Sequence, residues 1–300
     1  LVAIVAANRS LAHGCTRNTP LICSLLARAL IARDAGYAEA RQLALTAMRL
    51  AARLGVDPWA QARLLVHQFS FVLPWSRHID NNLPQIEDTL SMTTRTQDPA
   101  CDAALQALNA ITQFFLGRRL DAVTTYHQPF AGAAAALRGE TASLTDLDCD
   151  EFDTHAYACR FKHTPFMLTL LSSARMPLHV LAGDCARALQ LHDQPELRQA
   201  PPFLANAAVQ FWRGMACAQL AGGVAHEARQ ELLDGLAEAT DFLAEVECGD
   251  GGDNVTHRLL CLLGEQSRLQ GDHALAFEFY SDAVDFADRN GYTLESGFIL

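Results

Sequence analysis

Residues 202–223 read PFLANAAVQFWRGMACAQLAGG, and their spacing decides the fold class. From Pro202 the apolar positions run Phe203, Leu204, Ala207, Ala208, Phe211, Trp212, Met215, Ala216 and Leu220. Asn206, Gln210, Arg213 and Gln219 occupy the other side. Apolar residues at i, i+1, i+4 and i+5 make one stripe on a helix of 3.6 residues per turn, so this stretch is an amphipathic helix with a face to bury. Extended β-branched alternation is nearly absent from the chain, which leaves strands no obvious home. The expected class is all-α.

The same pattern recurs along the chain. Gly271-Asp272-His273 is followed by Ala276, Tyr280 and Ala283. In a helical hairpin a small residue lets the second helix approach the first, a large one fills the space a turn later, and a small one follows. Ala40, Ala44 and Ala47 after Gly36 keep the spacing without the aromatic, and Ala122 and Tyr126 follow Gly117 until Pro129 interrupts. Gly183 leads to Ala188, and Gly223 to Ala228. The anchoring alanines 40, 122, 188, 228 and 276 stand about 40 residues apart, or about twice that where one unit is degenerate. This predicts a tetratricopeptide-like (TPR-like) α-solenoid of antiparallel hairpins. The helix pairs expected are 19–34/37–54, 58–73/79–96, 99–116/120–137, 163–181/184–192, 203–221/224–246 and 254–270/273–290. Pro58, Pro84, Pro99, Pro165 and Pro202 fall near helix starts, where a missing N–H costs little.

The expected organisation is a connector from an upstream domain over 1–17, N-terminal hairpins over 18–140, an acidic linker over 141–153 and C-terminal hairpins over 154–300. Leu1 opens the sequence without a methionine, and Gly297-Phe298-Ile299-Leu300 closes it inside an apolar pattern. The reading is therefore of a segment of a longer protein, truncated within its next helix.

Composition narrows the function. The 23 Lys and Arg against 34 Asp and Glu give a net charge of −11, which argues against a nucleic-acid partner. No apolar run approaches the about 20 residues that span a bilayer, so no membrane insertion is expected. Lys162 is the only lysine, and it stands in Arg160-Phe161-Lys162-His163 with no glycine beside it. A P-loop, which ends in Gly-Lys-Ser/Thr, is thereby absent, as are the kinase lysine, HRD and DFG motifs. GxSxG, HExxH and GxGxxG do not occur either. The segment is expected to be non-catalytic, with no catalytic or cofactor-binding residues. Nine cysteines without a CxxC pair, three of them (Cys23, Cys217, Cys261) inside apolar helical patterns, fit a reducing cytoplasm better than a disulfide framework.

Three segments then carry a family resemblance. Pro74-Trp75-Ser76-Arg77-His78 with Leu83-Pro84, Arg175–Asp184, and Gly271–Gly291 with Tyr292 and Glu295 resemble the helical-repeat region of large bacterial signalling proteins. Those proteins join a serine/threonine kinase, an AAA-like ATPase, the repeats and often a GAF and sensor histidine kinase module. The resemblance covers most of 18–300 and implies a sensory or coupling scaffold that contacts proteins, peptides or flanking domains. The family's catalytic residues have no matching positions here. A more general likeness to MalT-type regulators implies an alternative, a solenoid that senses a small-molecule inducer; a deep pocket lined by Trp212, Phe211 and polar side chains would favour it, and a smooth open groove would favour protein contact.

Several side-chain groups are candidates for binding. His155, Cys159 and His163, at i, i+4 and i+8 with Cys149 and Asp153 nearby, form a candidate metal set at 149–163, although the spacing matches no zinc-finger pattern. Asp146, Asp148 and Asp150 have the first half of a calcium-loop spacing, but Glu151 stands where glycine is required and Tyr157 where a bidentate glutamate is required. A solvated acidic linker is the simpler reading, and the same account fits Cys248–Asp253. Asp184, Asp272 and Glu39 lie where they complement second-helix dipoles. Trp75, Arg77 and His78, in one inter-helix turn, form a candidate interaction surface. The competing account of that turn is a lock between hairpins.

Overall fold

The computed structural model describes residues 2–34, 36–96, 98–118, 128–150, 152–194, 204–224 and 226–300. Its helices are α1 (Val2–His13), α2 (Thr19–Asp34), α3 (Tyr37–Leu54), α4 (Pro58–Phe71) and α5 (Leu83–Thr96). There follow α6 (Pro99–Phe115), α7 (Gln128–Leu137), α8 (Thr154–Phe161), α9 (Pro165–Leu181) and α10 (Cys185–His192). The last five are α11 (Leu204–Ala221), α12 (His226–Val246), α13 (Gly252–Gln270), α14 (His273–Asn290) and α15 (Thr293–Ile299). Two single 3-10 turns, Leu73–Trp75 and Ile79–Asn82, join α4 to α5, and a π-helical turn, Glu247–Gly251, precedes α13. No strand occurs among the described residues; an isolated bridge pairs Cys149 with Phe152. The protein is all-helical. No helix among the described residues is long and apolar enough to cross a membrane.

Local chemistry explains where helices begin and end. Asp57, in extended conformation, accepts the Ala60 N–H at 2.9 Å, and Pro58 supplies the fixed φ of the next position. Asp272 accepts the Leu275 N–H at 3.0 Å to start α14, which ends at Gly291 with φ 76°. Only glycine adopts that left-handed conformation without strain, and its N–H closes onto the Ala287 and Asp288 carbonyls. Asp184, in the equivalent position before α10, makes no cap hydrogen bond, because its carboxylate lies 3.2 Å from His179 Nδ1 instead.

The contacts divide the chain into two compact units. The first holds 1–112, 202–204 and 248–254, and the second 113–201, 205–247 and 255–300. The acidic stretch 141–153 lies inside the second unit, and α1 occupies most of the 1–17 segment.

In the first unit α2 packs on α1, α3 and α4, and α4 on α5. Tyr37, Ala40, Ala44, Ala47 and Ala51 line the buried face of α3, and Gln68 of α4 donates to the Ala44 carbonyl at 3.1 Å. Thr93 of α5 donates to Asp102 of α6 at 3.0 Å.

In the second unit neighbours also meet in chain order. Leading from α10 to α11, the Cys185 thiol donates to Gln219 at 2.9 Å. Arg213 of α11 then pairs with Glu238 of α12 at 2.7 Å, and Gln266 of α13 donates to Thr240 of α12 at 3.0 Å. Tyr280 of α14 donates to Glu265 of α13 at 2.7 Å, and its ring lies so close to Gly264 that a Cβ there would stand 2.6 Å from Cε1. Gly214 of α11 likewise abuts Leu262 of α13, so alternate helices touch as well.

The repeat positions divide. Ala40, Ala188, Ala276 and Ala283 are buried, and Tyr280 is half-buried. Ala228 is exposed, because the buried face of α12 begins later, at Leu236, Ala239, Leu243 and Val246. Ala122 and Tyr126 lie outside the described residues.

Candidate functional site

The turn between α4 and α5 is held from far along the chain. Asn254, in the first turn of α13 and 1% exposed, donates to the Pro74 and Arg77 carbonyls at 2.7 Å each and accepts the Ile79 N–H at 3.0 Å. Trp75 is 1% exposed, its ring 5.8 Å from that of Tyr37. It therefore offers no aromatic platform, and the expectation of a surface trio is corrected at that residue: the ring fills the core beneath the turn. Arg77 donates to Asn82 Oδ1 through Nε at 2.9 Å and Nη2 at 2.5 Å, and Nη2 reaches Gln85 Oε1 at 3.2 Å. His78 Nδ1 accepts the Asp80 N–H at 3.2 Å and so caps the second 3-10 turn. Trp59, by contrast, is 46% exposed, with the Arg63 guanidinium 4.1 Å above its ring.

The 149–163 segment brings His155 Nε2 and Cys159 Sγ together at 3.5 Å, one turn apart on α8. His163 lies beyond the end of that helix and does not join them. Among the described residues no three His, Cys, Asp or Glu side chains converge as a metal would need. The nearby carboxylates serve the backbone instead. Asp146 accepts the Asp148 N–H at 2.9 Å, Asp148 the Thr154 N–H at 2.7 Å, and Asp153 the Ala156 N–H at 2.8 Å. The Thr154 N–H holds the Asp148 carboxyl below its ordinary value.

Two stretches expected to be solvated keep Asp148, Asp150, Asp153 and Cys248 exposed but each is anchored at buried points. Leu147 and Phe152 are 1% and 3% exposed, and both press against Gly132 of α7. Gly249, in the π-helical turn, lies against the Tyr37 ring with no room for a Cβ.

An apolar groove of about 360 Å³ opens among α2, α4 and the start of α6, walled by Leu21, Leu25, Val66, Phe71 and Ala104. Two polar features line it. Ser24 Oγ and His67 Nδ1 share a hydrogen bond at 2.8 Å, and burial, aided by the Arg28 charge, lowers the His67 imidazole to about 4. Arg63 at the rim pairs with Asp98 at 3.1 Å. Ser24 is 0% exposed, so its hydroxyl does not meet a substrate despite the Ser–His contact. Cys101 also lines the groove with a thiol that burial pushes up to about 11, which keeps it protonated and poorly nucleophilic.

The space beside Phe211 and Trp212, where a deep pocket would favour inducer sensing, is filled from within. Their rings meet Phe298 of α15 at 6.5 and 4.8 Å between centroids, and both are buried. In the same unit Arg258 and Glu295 form an ion pair at 2.6 Å with side chains 1% and 2% exposed. The Arg258 guanidinium stands 5.7 Å from the centre of the Phe115 ring. Ser24, His67, Asn254 and Arg258 do not stand out in the sequence, since each acquires its partner from a distant part of the chain.

No protein-family model matches this chain, and no curated protein or solved structure matches it.

Proposed function

We propose that this chain is a non-catalytic, TPR-like helical-repeat scaffold that docks protein or peptide segments and couples them to neighbouring domains. The observation that carries the reading is the order of packing from α9 to α14: each helix meets its successor, and alternate helices touch where Gly214 abuts Leu262. Consecutive hairpins packed in this way bury one continuous core and leave an extended surface for a partner. The buried alanines at 40, 188, 276 and 283 support it, being the small residues that close approach of paired helices requires.

The chain also makes contacts that a nearest-neighbour stack does not require. Asn254 reaches Pro74, 180 residues away, and Thr293 donates to the Gly117 carbonyl at 2.6 Å across 176 residues. In this reading they tie distant repeats together within each unit and limit how freely curvature changes. A ligand that prefers one curvature would shift the population between states only by its difference in affinity for them.

The resemblance of Pro74–His78, Arg175–Asp184 and Gly271–Gly291 to bacterial signalling proteins is what suggests kinase and ATPase neighbours in a longer cytoplasmic chain. The complete reading frame tests that part: a kinase lysine and Walker motif upstream support it, and a helix-turn-helix downstream favours a MalT-like regulator instead.

Selection of a displayed random-peptide library on the purified chain, with the heat-denatured chain as control, tests the docking activity. Convergence on one motif whose synthetic peptide binds at micromolar Kd supports the scaffold. Failure to converge, with saturable binding of small apolar molecules in the groove beside His67, supports the inducer-sensing alternative.

A further inference from the structure

The groove among α2, α4 and α6 lies wholly within the first unit, and its two ends differ in charge. Ser24 meets His67 at 2.8 Å, and the Arg28 guanidinium stands 4.6 Å from the centre of the Phe71 ring. Both contacts step four residues along each helix, so α2 and α4 run parallel here. Leu21 and Leu25 wall the groove, and Arg28 continues their i, i+4, i+7 row at the Phe71 end. The whole sequence carries −11, yet α4 holds no Asp or Glu, and α2 none before Asp34, its last residue. Arg28 is half-buried and makes no ion pair among the described residues.

The carboxylates on the α6 side are already engaged. Asp98 pairs with Arg63 at 3.1 Å, and Asp102 accepts from Thr93 and Gln106 at 3.0 and 2.8 Å. His67 Nε2 is buried with no hydrogen-bond partner among the described residues. An unpaired guanidinium at the end of an apolar groove suits a ligand that brings a carboxylate on an apolar body. The walls are helices whose backbone groups are bonded internally, so an extended peptide would find no edge for its own N–H and C=O groups. A helix satisfies its backbone by itself. Two helical turns fill roughly 800 Å³, against about 360 Å³ in the groove, so only side chains enter while the helix body rests on the rim.

We propose that this groove docks an amphipathic helix of a partner protein, with Glu or Asp at i and apolar side chains at i+3 and i+7. The apolar pair fills the space between Leu21, Leu25, Val66 and Ala104, and the carboxylate meets Arg28. A carboxylate is favoured near the N-terminus of the helix that carries it, which sets the ligand antiparallel to α2. This deepens the scaffold reading, on which it rests, by naming where a partner docks and what it presents.

Fluorescence anisotropy on the intact 300-residue chain tests it. The probe is a labelled alanine-based helical peptide of about 15 residues carrying Glu, Leu and Leu at i, i+3 and i+7. The expected result is saturable binding that Leu25→Asp and Arg28→Gln each weaken about 10-fold or more. Replacing the probe's Glu with Gln should weaken binding to the parent by a similar factor and leave binding to Arg28→Gln unchanged, a coupling that loss of folding does not produce. Phe277→Ala, at an exposed ring on α14, should leave the affinity as it is. No saturation by about 1 mM, equal affinity for Leu25→Asp, or simply additive effects of the two charge changes overturns the proposal. Octanoate binding that depends on Leu25 and Arg28, with the helix refused, assigns the groove to a small molecule and overturns it too. If library-selected peptides bind Leu25→Asp and Arg28→Gln as tightly as the parent, this site is refuted and the scaffold reading stands; if neither they nor the designed helix bind the parent, both fall.

Discussion

Asn254 accepts the Ile79 N–H at 3.0 Å across 175 residues, and its amide nitrogen donates to both Pro74 O and Arg77 O at 2.7 Å. The amide is the one side chain of its size that can donate twice and accept once here. Asn254→Asp turns the donors into an acceptor facing two carbonyls, and should cost about 3 kcal/mol from unsatisfied buried groups. Urea denaturation of the two proteins measures it; a change below about 1 kcal/mol would mean the turn holds itself.

The Arg258–Glu295 pair makes a second test. Removing one partner, as in Glu295→Leu, leaves a buried charge uncompensated and should destabilise by about 3–5 kcal/mol. The double change Arg258→Met with Glu295→Leu should cost less than Glu295→Leu alone. A double-mutant cycle by chemical denaturation decides whether the two effects are coupled or simply add.

Gly132→Ala examines the packing of the 141–153 loop. A Cβ there would stand 2.5 Å from the Leu147 carbonyl oxygen and 2.9 Å from the Phe152 ring, and a backbone oxygen cannot swing aside. The expected loss is about 1–3 kcal/mol. Thermal unfolding with no shift would show that this loop is loosely held.

His67 predicts a pH dependence. Its folded value of about 4 lies below the ordinary 6.5, so between those values the unfolded chain binds the proton more readily. The contribution is fully present above pH 6.5 and is lost as pH falls toward 4, by at most about 3 kcal/mol. Denaturant midpoints at about pH 7 and about pH 4.5 should differ more for the parent than for His67→Gln. Equal slopes in the two proteins would refute the assignment.

Thiol reactivity should separate by burial. Cys15, Cys159 and Cys248 are exposed, whereas Cys101, Cys185, Cys217 and Cys261 are buried. Burial pushes the Cys217 thiol up to about 11, and raises that of Cys261 further. A disulfide reagent should label the exposed three rapidly in the native chain and the buried four only after denaturation. Rapid native labelling of Cys217 would contradict the packing of α11.

Class and helix placement are local properties, and the amino-acid order alone determined them. The apolar stripe from Leu204 to Leu220, the Asp57-Pro58 and Asp272 starts and the Gly291 stop each act within a few residues, so periodicity and cap chemistry place α4, α11 and α14 without knowledge of their neighbours. Ala188, Ala276 and Ala283 were legible for the same reason, whereas Ala228 was not, because which turn of α12 is covered depends on what lies over it. The tertiary structure alone decided that Trp75 faces inward, that Leu147 and Phe152 anchor an acidic stretch whose carboxylates stay exposed, and that Phe298 fills the space beside Trp212. Arg258 with Glu295, and Ser24 with His67, are pairs whose members stand 37 and 43 residues apart. Spacing on one helix carries no information about a partner on another, since that meeting is set by how several helices share one core.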